Sequence, residues 1–480
     1  MGYWLLKRNI KEIGMLITLR DEMGSMIDRS YLCIDSSKAY SIHVAEILEK
    51  KGIENADFTG SLELEIFSTV DLVYPYPAFV INYYSDAFST VVHSVGRVYN
   101  DVEDMLGNEE YVVREAGFDI YSTAATEPFV AFTNGPWKND DLIISYEITN
   151  HKNEKISGSF SAGEIVPFQT CFLYFNRYIP ELAEFMDEKK GTINVGHNLK
   201  GLFPRFVAGN ADRSSNSFSI THSYYDSSPH NDEKSYWNRL DERFIDSSIA
   251  IPLFITNGYN TELIIYPILS ASDFIISLSF FDKDGILTGR INQAVCYSGT
   301  NQQYQTLDFL QLAQDHKLDV LKTASARIEC TWDNKERIPT RVKFGLNVGK
   351  KGLLPSNICF APQLGNPNIL NKKSTFKWSP IINSGRSVIV LTNSSSLIDY
   401  TRTAKIDLKI YREQDDSFIE RTAELRPFGI YILDTSADPE LCKFLNGASG
   451  WLTAFSENPN IYGWYYDFFS NGAVAADHIF

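Results

Sequence analysis

The chain has 480 residues and a formal charge of −16, so it is too long for one hydrophobic core and too acidic to suit a phosphate backbone or an anionic membrane surface. Its 31 Phe, 26 Tyr and 7 Trp favour strands over helices. No apolar run approaches the roughly 18 residues that span a bilayer, and the opening MGYWLLKRNIKEIG lacks the apolar stretch of a secretory leader. These features set the expectation of no nucleic-acid partner, no membrane insertion and a cytoplasmic location by default, with non-classical export left open.

In chain order, the first pattern is an apolar strand ending in Asn: YWLLKRN to Asn9, VAFTN to Asn134, LFITN to Asn257 and VIVLTN to Asn393. The copies stand about 125–135 residues apart, the size of one β-sandwich domain, and such a period decides architecture. A second apolar strand and a polar turn follow each time: LITLRDEMG to Gly24, IISYEITNHKNE to Glu154, ISLSFFDKDG to Gly285 and IDLKIYREQDD to Asp416. Asp, Asn and Gly there suit tight hairpins because they tolerate positive φ. The return strand meets Pro-Phe in two copies, at Pro167-Phe168 and Pro427-Phe428.

A short helical stretch comes next, VAEILEKK from Val44, IPELAEF from Ile179 and DPELCKFL from Asp438. Pro and Glu suit a helix N-terminus, where a missing N–H costs nothing and negative charge is favoured. The third copy has instead an inserted stretch, QLAQDHKLDVLKTAS, and no Pro-Phe. Each module closes with more strands, GSLELEIFS from Gly60 alternating apolar and polar residues as a half-buried strand does.

The predicted fold is all-β: tandem β-sandwich-like modules, about four related copies, with a few short helices. The modules run over 1–101, 128–230, 249–383 and 387–480, with 102–127 and 231–248 as connecting segments. The pattern resembles the tandem bacterial β-sandwich modules of surface and carbohydrate-associated proteins, which is a style of architecture and not a family. Six scattered cysteines without CxxC spacing are expected to be buried, reduced thiols.

Motifs of specific catalysis are missing: no GxSxG elbow, Walker loop, HExxH, EF-hand loop or GxGxxG after a strand. The reading is therefore a non-catalytic binding or structural protein that recognises a glycan or a protein partner and needs no cofactor. Two stretches suit a ligand. HNLKGLFPRF offers His197, Asn198 and Arg205 beside glycine, and IYGWYYDFF offers Trp464 and Tyr466 as aromatic faces for sugar rings, although period-two alternation also suits a core.

The alternative is a metal-dependent enzyme. His93, His222 and His478 sit in what align as module-final strands, with Trp378 in the third copy. If the modules pack around a common centre, these imidazoles share one divalent metal such as zinc, with Asp226 and Asp477 as orienters or ligands. In a bead-like array they would lie far apart and serve only strand ends. Convergence of the three rings separates the two arrangements.

Overall fold

The computed structural model describes residues 11–36, 40–53, 58–68, 79–85, 88–93, 114–199, 206–225, 236–237, 241–267, 270, 272–299, 301–336, 338–339, 342–365, 367–413, 415 and 417–480. Within them the chain is mostly antiparallel strand, gathered into several separate sheets. The first module holds β1 (Ile13–Asp21), β2 (Met26–Ile34), α1 (Val44–Lys50), β3 (Gly60–Phe67), β4 (Val80–Tyr84) and β5 (Ser89–His93).

The second module runs through β6 (Arg114–Tyr121), β7 (Thr126–Thr133), β8 (Ile143–Thr149), β9 (Lys155–Ser161) and β10 (Thr170–Tyr174). It continues with α2 (Phe175–Tyr178), α3 (Leu182–Met186), β11 (Lys190–His197), β12 (Val207–Asp212), β13 (Ser217–His222) and β14 (Tyr224–Tyr225). A short β15 (Tyr236–Trp237) precedes the third module.

That module contains β16 (Ser247–Pro252), β17 (Tyr259–Ile265), β18 (Phe274–Phe281), β19 (Leu287–Tyr297), β20 (Gln305–Asp308) and α4 (Phe309–Asp315). Then come β21 (Ser325–Trp332), β22 (Ile338–Pro339), β23 (Phe344–Lys350), β24 (Ser356–Phe360) and β25 (Gln363–Leu364). The fourth holds β26 (Thr375–Ile381), β27 (Arg386–Asn393), β28 (Ala404–Arg412), β29 (Phe418–Leu425) and β30 (Ile430–Asp434). It ends with α5 (Pro439–Leu445), β31 (Gly450–Ser456), β32 (Ile461–Phe468) and β33 (Val474–His478).

Three sheet pairs share one pairing pattern. The orders β9-β8-β11-β6, β19-β18-β21-β16 and β29-β28-β31-β26 correspond strand for strand, as do β10-β7-β12-β13, β20-β17-β23-β24 and β30-β27-β32-β33. In each pair the inward apolar residues of both sheets meet in one core, as Ile144, Ile148 and Ile193 meet Val130, Phe132 and Leu173 in the second module. The first module shows β2-β1-β3 and β4-β5.

Several expectations need correction. Because β6, β16 and β26 pair with β11, β21 and β31, the module starts at 128 and 387 fall one strand late. STFKWSP, placed at the end of the third module, is the first strand of the fourth. Asn134 and Asn393 do hold matching strand ends: each donates its Nδ2 to a carbonyl beside a Pro-Phe turn whose Phe has positive φ. Asn257 does not. It lies in the turn before β17 with φ of 55°, because the LFITN run is a connection rather than a strand. The inserted QLAQD is the third module's own helix, capped by Asp308 accepting from Gln311 N–H at 2.9 Å. None of the six cysteines is in a disulfide, but Cys33, Cys296 and Cys442 are exposed.

Neighbouring modules touch in sequence through a recurring clip. The Glu22 carbonyl in the β1–β2 turn accepts from Thr170 N–H at 2.9 Å, and the β18–β19 turn presents Lys283 O to Ile430 N–H at 3.0 Å. Between the second and third modules, Asn153 Oδ1 accepts from Tyr304 N–H at 2.7 Å. Gly24 and Gly285 serve these turns with φ near 83° and 81°, and a Cβ on Gly285 would meet Pro427 O at 2.1 Å.

The edge strands β5, β13, β24 and β33 close the arrangement, for β5 packs on β13 and β33, and β24 also packs on both. Alternation along β5 sends Val91 into the fourth module's core and Val92 into a cluster with Phe129, Val207 and Ile220 of the second. Thr90 Oγ1 accepts from Ile220 N–H at 3.0 Å. The face of β27 and β32 shares a core with the third module through Val390, Trp464 and Phe468.

Candidate metal centre

Because β5, β13 and β33 meet side by side, their final residues meet too. His93, His222 and His478 are each the last residue of their strand. Their hairpin partners are Val80, Val207 and Trp464, and the same register in the third module pairs Phe344 with Phe360. The His93 ring lies edge-on to His222 at 4.5 Å between centroids and to His478 at 4.7 Å.

Each imidazole is oriented through Nδ1. His93 faces Asp477 Oδ2 at 2.9 Å, His222 faces Ser223 O at 2.8 Å, and His478 faces Ile479 O at 3.2 Å. A carbonyl can only accept, so the proton of His222 and His478 sits on Nδ1 and the lone pair on Nε2. The Asp477 carboxylate selects the same tautomer for His93. This is the arrangement by which outer oxygens prepare imidazoles for a metal.

Ligand atoms of His93, Asp477 and His478 lie within 4.8 Å of one another. His222 stands outside this group and touches it through the His93 ring. His93, His222 and Asp477 are all below 7% exposed, and Phe480 covers His93 and His478 at 4.9 and 5.1 Å while stacking on Trp378.

Electrostatics suit a metal. Burial, with His93 beside it, holds His478 down to about 4, so it is a neutral donor at neutral pH. Burial pushes Asp477 up, but the attraction of and hydrogen bond from His93 outweigh it, so the carboxyl lies below its ordinary range. Imidazole donors suit zinc, with the Asp477 carboxylate behind His93 as an outer oxygen.

The other expected residues divide. Asp226 and Arg205 lie outside the described residues. His197 is buried against Phe206, its Nδ1 accepting from Leu199 N–H at 3.2 Å, and burial lowers it to about 4. Asn198 is spent on the chain, accepting from Ile143 N–H at 2.9 Å and donating to Asp141 O at 3.0 Å. Trp464 and Tyr466 are 1% and 0% exposed, so neither offers a face to a sugar; alternation along β32 turns both into the core shared with the third module. Trp378 reaches the centre by stacking on Phe480, and Phe360 holds its register position.

A second buried polar group escaped sequence reading. Asp119 accepts from Asn347 Nδ2 at 2.9 Å, and Asn357 Nδ2 donates to Asn347 Oδ1 at 2.8 Å, between the second and third modules. Its one signal was an Asp within the apolar alternation GFDIY.

No protein-family model matches the chain, and no curated protein matches it in sequence.

Proposed function

We propose that this is a non-catalytic, structural or binding protein whose β modules close around one divalent transition-metal ion, zinc by its donor set. The observation that carries the reading is the meeting of three imidazoles from three modules, each with Nδ1 tied to an oxygen. We read the four modules as copies of one sandwich; the shared pairing pattern of three sheet pairs supports this. The charge of −16 supports the absence of a nucleic-acid partner, and six cysteines outside any disulfide fit a reducing, cytoplasmic compartment. No helix among the described residues is long and apolar enough to cross a membrane. A protein or glycan partner would be met on surfaces other than Trp464 and Tyr466.

Metal analysis of the full chain tests the centre. One zinc per chain is expected, with a chelator lowering the unfolding temperature and zinc restoring it. Purified protein that takes up no zinc, or a His93→Ala, His478→Ala chain that binds it as well as the natural one, would sink the idea. A metal-dependent enzyme is the second reading, because the imidazoles alone do not fill the four positions of a tetrahedral zinc. Cobalt in place of zinc discriminates: a visible spectrum that shifts with added azide marks an open position, and an indifferent one marks a closed structural ion.

A further inference from the structure

The first and second, second and third, and third and fourth modules follow one another along the chain, so covalent connection holds each of those pairs. The fourth and first are joined by contacts alone. Their seam includes Val91 in the fourth module's core, Asn82 Nδ2 donating to Ser384 Oγ at 3.4 Å, and Ser41 and Ser449 hydroxyls at 3.5 Å. It also includes the metal centre, for His93 stands on β5 while Asp477 and His478 stand on β33.

We infer that the ion acts as a latch: zinc binding closes the seam between the first and fourth modules, and zinc loss lets it open. This rests on the proposed centre and goes beyond it, since an ion held within one module would stabilise that module without governing closure. Every other joint has a covalent tether that keeps its partners at high effective concentration. Across the seam, direct coordination from both sides does that work. The hydrogen bond from His93 to Asp477 at 2.9 Å already spans it, so the two half-sites assemble only when β5 and β33 lie together. His222, edge-on to His93, extends the hold to the second module.

Hydrogen exchange on the full chain, stripped of metal and then given Zn²⁺ alone, tests the latch. Zinc should slow exchange of β5 and β33 at least tenfold and leave β23, β24 and β27 within about twofold. Stoichiometric zinc binding with no change in β5 and β33, or with equal slowing of every strand, overturns the latch and leaves the centre standing. Failure to bind zinc overturns both. Joining the seam by Asn82→Cys with Ser384→Cys gives an independent check. Oxidation of that pair in the metal-free chain should make exchange of β5 and β33 insensitive to zinc; persistence of the full zinc effect in the oxidised chain counts against the latch.

Discussion

Asp477 orients His93 by accepting its Nδ1–H, so its removal acts on the metal through the ring. Asp477→Asn should weaken zinc binding about 10–100-fold, the usual cost of losing an outer carboxylate, without unfolding the chain. Competition against a colorimetric chelator measures it; unchanged affinity would make the pair an ordinary buried hydrogen bond. At Asp119, burial raises the carboxyl to about 6, with Glu262 adding to it and Asn347 and Lys190 opposing. The folded protein therefore holds this proton above the pH at which the unfolded chain releases it. Stability from this group is present below about pH 4 and is lost as pH rises through about 6. Asp119→Asn should flatten that slope, gaining about 2–3 kcal/mol at pH 7 relative to pH 4 when compared with the natural chain. Urea midpoints at the two pH values give the answer, and parallel profiles would contradict it.

At the scale of elements, the strand-end Asn and the hairpin turn carry the architecture. Asn393 is fully buried, donates to the carbonyls of Arg402, Leu425 and Arg426, and accepts from Tyr400. Asn393→Ala should cost about 2–4 kcal/mol, because those carbonyls lose their donor where water cannot replace it. Asn257→Gly should be neutral or slightly stabilising, since its positive φ suits glycine. Equal losses in thermal melts would overturn this distinction between two residues the sequence treats alike. Gly285→Ala should loosen the clip between the third and fourth modules, since φ near 81° and the Pro427 carbonyl both oppose a side chain.

These elements also show what the sequence could reveal. Hairpins such as IISYEITN and IDLKIYREQDD are readable because alternation and turn chemistry are local. The opening strands β6 and β26 escape local reading because they pair with β11 and β31, far along the chain, and nothing local marks such a partner. The three histidines were legible as a pattern of equivalent strands. Their Nδ1 acceptors, Ser223 O and Ile479 O, were not, because every residue carries a carbonyl.

For the whole molecule, β33 is the piece on which closure turns, since it carries two residues of the centre and packs on β5 and β24. Deleting residues 472–480 should abolish zinc uptake and bare the edge of β32, so the shortened chain should aggregate on heating. A shortened chain as soluble and as stable as the natural one would mean that the terminal strand is dispensable.

The recurring clip has a consequence for assembly. Each of the first three modules grips the next through a turn on one side and a Pro-Phe or strand-start pocket on the other, a head-to-tail contact, and the packing of β33 on β5 brings the last module back to the first. Head-to-tail contacts that fail to close propagate instead. A ring parted at its seam would present two complementary ends, and the easiest partner for each is the opposite end of a second opened copy. Reciprocal exchange between chains would then restore every contact of the single ring at twice the size.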